Sequence, residues 1–202
     1  MSRFTKSILI ALSIVIIDQV SKFWIKTNMT LGESIPVLGN WFIIHFIENK
    51  GMAFGWEFFP KWILSVIRII AVGGLIWFLR ELIKKQAKPV ITVSISLITA
   101  GALGNIIDSA FYGIFFSEST PFNVAVPTLT QGYETFLHGS VVDMLYFPVL
   151  NGTYPDWFPF LGGQRFEFFR PVFNVADSAV TVGVILLPIF RKRFAEVVAQ
   201  PK

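Results

Sequence analysis

Four apolar runs dominate the chain, at about residues 7–26, 62–80, 90–112 and 171–190, and each is separated from the next by polar sequence. Crossing a hydrocarbon core takes about 20 mostly apolar helical residues, so each run predicts one transmembrane helix. Pro171 suits the first turn of the fourth, where its missing N–H is not needed. The connection 27–61 carries WFIIHFIEN at 41–49, rich in β-branched and aromatic residues and bounded by Gly39-Asn40 and Asn49-Lys50-Gly51. That pattern predicts strands, and hence a small sheet on the membrane surface. The connection 113–170 holds Pro, Gly and aromatic residues such as Phe158, Phe160, Phe166, Phe168 and Phe169, but no run of spanning length. It predicts a long outer loop partly packed on the interface. The expected architecture is therefore one integral-membrane domain, 1–202. It is an all-α membrane protein of four transmembrane helices, with a small outer β-sheet and a long outer loop.

Composition agrees with that picture. The chain is 53% hydrophobic and 15% charged, with 22 Phe, against about 25% charged in soluble domains. Lys and Arg fix the expected orientation: Arg3 and Lys6 precede the first run, Arg80, Lys84, Lys85 and Lys88 link the second to the third, and Arg191, Lys192 and Arg193 follow the fourth. The positive-inside rule puts these three segments, and so both termini, in the cytoplasm. The net charge of +4 is thus a topology signal and points to no nucleic acid. The first run holds Asp18, Gln19 and Lys22 and lacks a small-x-small cleavage site, so it reads as a retained helix rather than a signal peptide. Trp24, Trp41, Trp62 and Trp77 fall near the expected interfaces, where aromatic side chains contact membrane lipids. With no cysteine and two distant histidines, His45 and His138, neither thiolate chemistry nor a metal site is expected, and no cofactor is implied.

Ionisable groups within spans are costly and are functional candidates by default. Asp18, Asp108, Asp143 and Asp177 all converge on the outer ends of the predicted helices. Asn105-Ile-Ile-Asp108 and Asn174-Val-Ala-Asp177 repeat one pattern, which on a helix sets amide and carboxylate one turn apart on a single face. Asp177 is expected six residues into its span, roughly 8–9 Å deep at 1.5 Å per residue. Gly101, Ala102, Gly104 and Ala176 would let the helices approach closely. One such pair could be interhelical glue; two at one depth favour a polar site. Asp143 lies in an apolar stretch returning to the membrane. Alone it could be a solvated carboxylate, but beside Asp177 it is half of a pair that cannot easily ionise twice. Asp18 and Lys22, four residues apart, read as mutual neutralisation and structural support. Arg68 reads as snorkelling outward or pairing with an acid rather than as a substrate residue, and His138 as a loop histidine rather than a ligand.

Five segments in order, Asp18-Gln-Val-Ser-Lys22, Asn49-Lys-Gly-Met-Ala-Phe-Gly55, Gly104-Asn-Ile-Ile-Asp108, Gly139-Ser-Val-Val-Asp143 and Phe173-Asn-Val-Ala-Asp177, resemble the bacterial lipoprotein signal peptidases (signal peptidase II). The resemblance implies an intramembrane aspartic endopeptidase of the bacterial inner membrane, with its active site near the periplasmic face. Asp143 and Asp177 would be the catalytic pair. Asn49, Gly51, Asn105 and Asn174 would surround the substrate, with Asp18, Lys22, Asp108 and Ala176 in support, and the periplasmic sheet would act as a cradle. The implied substrate is a prolipoprotein carrying a diacylglyceryl-modified cysteine, cut just before that cysteine; globomycin-like cyclic peptides would inhibit. One position departs from the family pattern: an Arg is expected after the acid of GNxxD, and Ser109 stands there, with Arg165 and Arg170 of the outer loop as candidate substitutes. The rival readings are a small multi-pass transporter, which needs acids along a path or at the midplane, and a non-enzymatic scaffold.

Overall fold

A computed structural model describes residues 2–50, 61–148, 150–168 and 171–190. Gly51 and Arg170 lie outside the described residues. Helix α1 (Arg3–Asn28) opens with Ser2 as its cap, whose Oγ accepts from Thr5 N at 3.0 Å. Helix α2 spans Lys61–Lys84 and α3 spans Pro89–Ile107 with Pro89 in its first turn. The third helix does not end at Ile107. It widens into a π-helical turn at Asp108–Tyr112 and closes with one further turn, α4 (Gly113–Phe115). Three of the apolar helices, Phe4–Asn28, Lys61–Lys84 and Pro89–Phe115, are long enough to cross a membrane. An apolar helix satisfies its own backbone hydrogen bonds, which is what a bilayer requires. Accordingly Ile16, Ile70 and Trp77 lie on outward faces, 58%, 69% and 62% exposed.

The fourth helix differs from expectation. Helix α5 runs Val175–Ile189 and is shorter than the predicted run 171–190. Val172–Phe173 form a strand instead. That strand pairs with 145–146, and the Phe173 ring stacks on Phe147 at 5.8 Å. Asn174, extended at φ −121°, then starts the helix as its cap. Asn174 is therefore not on the helix, and Asp177 sits in the first turn rather than six residues deep.

Four strands, β1 (Ser34–Leu38), β2 (Phe42–Asn49), β3 (Val141–Tyr146) and β6 (Val172–Phe173), form an antiparallel sheet in the order β1-β2-β3-β6. The WFIIHFIEN segment is thus a strand, as its composition predicts. Asp143, expected in a stretch returning to the membrane, is instead in the middle of β3 opposite Ile47 of β2. Val141 and Val142 suit a pleated surface, and β2 offers them a free edge to pair with. Strands β4 (Leu150–Thr153) and β5 (Arg165–Phe168) form a separate hairpin, with Trp157 and Phe160 at 78% and 100% exposure on its tip.

Sheet and helices meet at a buried cluster of Ile25, Met29, Phe46, Tyr112, Phe116, Val142 and Met144. It fastens one face of β2 and β3 to the C-terminal end of α1 and to the helix end at Tyr112–Phe116. The long loop after α4 is tied down by backbone bonds, Leu31 N to Thr120 O at 3.0 Å and Tyr133 N to Phe116 O at 3.1 Å. Below the sheet, α3 packs against α1, α2 and α5. Small residues set the α3–α5 contact: a Cβ at Gly101 would stand 2.2 Å from Ala176 O, and one at Gly183 2.7 Å from Ser94 O.

Candidate active site

Helix α1 carries Asp18, Lys22 and Lys26 at four-residue spacing, so all three project from one face, and all three are fully buried. Lys22 Nζ lies 2.8 Å from Asp18 Oδ2, 2.7 Å from Asp108 Oδ2 and 2.9 Å from Asn105 Oδ1. Its three protons thereby meet three acceptors, and the cation offsets the charge of one acid of the two. Gln19 Nε2 donates to Asp108 Oδ1 at 2.8 Å and to Asp18 Oδ2 at 3.1 Å. Asp18 Oδ1 accepts from Ala176 N at 2.9 Å, taking an N–H that the first turn of α5 leaves without a helical partner. A Cβ at Gly104 would sit 2.6 Å from Asp18 Oδ2 and 3.0 Å from the Ala176 Cβ; only glycine lets α1 and α5 converge there. The mutual neutralisation of Asp18 and Lys22 expected from the sequence is present, and Asp108 joins it.

This buried network supports the layer above it. The π-turn at Asp108 brings its Oδ2 within 3.3 Å of Val142 N, next to Asp143. Gly139 packs on the same turn, where a Cβ would come within 2.3 Å of Asp108 O. The strand bearing Asp143 is thus located by the helix end that Lys22 neutralises.

Asn174 links Asp143 and Asp177. Its Nδ2 donates to Asp143 Oδ1 at 2.7 Å, while its Oδ1 accepts from Asp177 N at 2.8 Å and its own N–H donates to Asp177 Oδ2 at 3.3 Å. The last two bonds form a capping box, which satisfies two otherwise unpaired donors at a helix start. Asn105 Nδ2 donates to Asp177 Oδ1 at 2.8 Å, and Asn105 Oδ1 accepts from Asn174 Nδ2 at 3.1 Å. From the sheet, Asn49 Nδ2 reaches Asp143 Oδ2 at 3.3 Å. Asn49 follows Ile47 by two positions, so it shares the face of Asp143 across the β2–β3 pair. Of the residues singled out in the sequence, Asp18, Lys22, Asn49, Asn105, Asp108, Asp143, Asn174, Ala176 and Asp177 all come together at this one end of the bundle.

The two acids occupy different settings. Asp143 is 2% exposed. Burial, and secondarily the charge of Asp177, pushes its carboxyl up to about 7, despite bonds from Asn49 and Asn174 that act the other way. Asp177 is half-buried at the amino end of α5 and accepts from Asn105 and Asn174, an arrangement that suits an anion.

Three features are not legible in the sequence pattern as read above. Gln19 stands out there only as part of a polar helix segment. Lys26, bonded to Glu48 and to Ser119 Oγ at 2.9 Å and lying over the Tyr133 ring at 4.7 Å, ties α1 to β2 and to the loop after α4; its spacing from Asp18 and Lys22 is the available signal. Arg68 neither snorkels away nor pairs with an acid among the described residues: its Nη1 donates to Ser109 Oγ at 3.4 Å. Arg165, the other described candidate for that position, begins β5 in the separate hairpin.

Long apolar helices capped by a sheet, with a carboxylate and carboxamide cluster where the two meet, define a multi-pass membrane protein with a polar site at one end of its bundle. The chain belongs to the signal peptidase II family: the family model described as "Signal peptidase (SPase) II" matches residues 10–191. It is 49% identical over 191 residues to the lipoprotein signal peptidase of Porphyromonas gingivalis, covering 93% of this chain and 84% of that one. The lipoprotein signal peptidase of Amoebophilus asiaticus is 38% identical over 189 residues, covering 91% and 76%. A solved structure described as a bacterial membrane enzyme superposes with a TM-score of 0.62 at 30% identity, covering 98% of this chain and 93% of the other. A second, also a bacterial membrane enzyme, gives 0.60 at 32%, covering 92% and 91%. Family and fold together make this chain a multi-pass bacterial membrane peptidase.

Proposed function

We propose that this protein is an aspartic endopeptidase that removes signal peptides from diacylglyceryl-modified prolipoproteins, cutting just before the lipidated cysteine. The single observation that carries the reading is that one asparagine, Asn174, holds both Asp143 and Asp177, one through its side-chain amide and the other through a capping box. Two carboxyls so joined, one buried and one at a helix start, form an acid and a base in the same pocket.

In the mechanism we infer, Asp177 acts as the base and takes a proton from water as the water oxygen attacks the scissile carbonyl carbon. Asp143 gives its proton to the carbonyl oxygen. The tetrahedral diol then collapses: Asp177 passes its proton to the leaving nitrogen, the C–N bond breaks, and Asp143 recovers a proton from the remaining hydroxyl. Both acids end as they began, and no covalent intermediate forms. Asn105 and Asn174 hold the carboxyls in register, and Asn49 reaches Asp143 from the sheet that would cradle the peptide. The Lys and Arg pattern supports an inner-membrane protein with both termini cytoplasmic and this site near the periplasmic face. Cyclic peptides of the globomycin type are expected to compete with substrate there.

Asp143→Asn and Asp177→Asn should each reduce cleavage of a prolipoprotein in detergent or vesicles by at least about 10²–10⁴-fold, the usual worth of a positioned acid or base. If either variant cleaves at the parent rate, the pair does not do the chemistry.

A further inference from the structure

Arg68 borders the site and, among the described residues, pairs with none of its acids. Lys61, Ser65 and Arg68 of α2 are spaced i, i+4, i+7 and form one stripe. Lys61 Nζ donates to His138 O and Ser65 Oγ to Leu137 O at 2.9 Å, both in the loop that leads into β3. Arg68 continues the stripe to Ser109 Oγ, at 3.4 Å. Ser109 in turn donates to Asn105 O at 3.0 Å, and Asn105 is the residue whose amide holds Asp177. The guanidinium is thus linked through Ser109 and Asn105 to Asp177 of the proposed catalytic pair.

Among the described residues its donors are only partly used. A guanidinium has five N–H donors and no acceptor, and among the described residues Arg68 makes a single long bond, to a neutral hydroxyl. None of the four ion pairs among the described residues involves it. An unmatched cation in a spanning helix is costly unless acceptors meet it. Arg68 lies seven residues beyond Lys61, roughly 10 Å along the axis at 1.5 Å per residue, which puts it within the apolar helix long enough to span a membrane. The acceptors that a peptide or lipopeptide substrate would bring there are carbonyl oxygens.

We infer that Arg68 is a substrate-positioning residue that binds a carbonyl oxygen of the prolipoprotein beside the Asp143–Asp177 pair. This rests on the peptidase reading. Ser109, where the resemblance leads to the expectation of an Arg, lies in the π-helical turn that Arg68 reaches from α2. The carbonyl could belong to the peptide backbone or to an acyl ester of the lipidated cysteine.

The test measures kcat and KM separately on a synthetic lipopeptide. Arg68→Gln and Arg68→Ala should lower kcat/KM by roughly 10–100-fold, the worth of a hydrogen bond to a charged group, mostly through KM, and leave the melting temperature within a few degrees. The double variant Arg68→Ala/Ser109→Arg should recover most of the loss. Comparing acyl-ester with alkyl-ether lipopeptides assigns the carbonyl: loss of Arg68 dependence with the ether marks the ester, and retention marks the backbone. The inference is overturned if Arg68→Gln keeps kcat/KM within twofold of the parent, or if the loss tracks unfolding and Ser109→Arg does not rescue it. The parent enzyme failing to cleave the lipopeptide at all would sink the peptidase reading instead.

Discussion

At the scale of single residues, the site works by giving like groups unlike surroundings. Asp143 is held above its ordinary range first by burial and second by Asp177, to about 7. A carboxyl in that state keeps its proton below neutrality and loses it above. The proposed mechanism needs the proton on Asp143, so kcat/KM should fall about tenfold per pH unit as the pH rises above about 7. A profile still flat at pH 9 would remove Asp143 as the acid. The order of causes makes a second outcome specific. In Asp177→Asn, the carboxyl band of Asp143 followed by infrared titration should move down but stay above 3.8, the ordinary value, because burial remains after the neighbouring charge has gone. Lys22 shows the complementary arrangement, a buried cation whose three protons are all met. Arg68 is its opposite, a cation with spare donors among the described residues, and that contrast is why one reads as structural and the other as substrate-facing.

At the scale of elements, positions without a side chain decide where the acids sit. A Cβ at Gly101 would meet the backbone oxygen of Ala176 at 2.2 Å, and neither backbone can give way without separating α3 from α5. Gly101→Ala should therefore lower the recovery of folded, detergent-stable protein and cleavage together, even though alanine is the better helix former. On α2, a Cβ added at Gly73 or Gly74 would meet nothing within 4 Å among the described residues, and Gly74→Ala should be neutral or gain up to about 1 kcal/mol from helix propensity. Thermal unfolding of the two variants side by side checks the contrast; equal melting temperatures would mean that the close approach is not a constraint. The start of α5 follows the same logic. Pairing of Val172–Phe173 with β3 delays the helix to Val175, with Asn174 as its cap, and that delay turns a repeated Asn-x-x-Asp pattern into two different devices, one at the end of α3 and one across a helix cap.

For the molecule as a whole, orientation is the property with the widest consequence, since it decides from which side substrate arrives. The chain has no cysteine, so single replacements report cleanly. Phe160, fully exposed on the β4–β5 tip, should as Phe160→Cys react with a membrane-impermeant maleimide in spheroplasts. Lys84, 72% exposed near the α2–α3 link, should as Lys84→Cys react only after lysis. The reverse pattern would invert the proposed topology. The same polarity explains why the two halves of the molecule differ: lipid covers the apolar helix faces, while the polar cluster lies under a sheet fastened by Ile25, Phe46 and Met144 and by Lys26.

Helix number, charge asymmetry and the chemical identity of the candidate site were legible in the sequence, because hydropathy over about 20 residues and the cost of burying an acid in lipid are local properties. The strand at 41–49 was legible for the same reason. Tertiary structure alone decided that Asp143 lies on a strand, that α5 begins at Val175, and that Arg68 faces Ser109. Those outcomes depend on which strand edge, helix end or hydroxyl another part of the chain presents, and partners contributed from distant parts of the chain leave no mark on local periodicity.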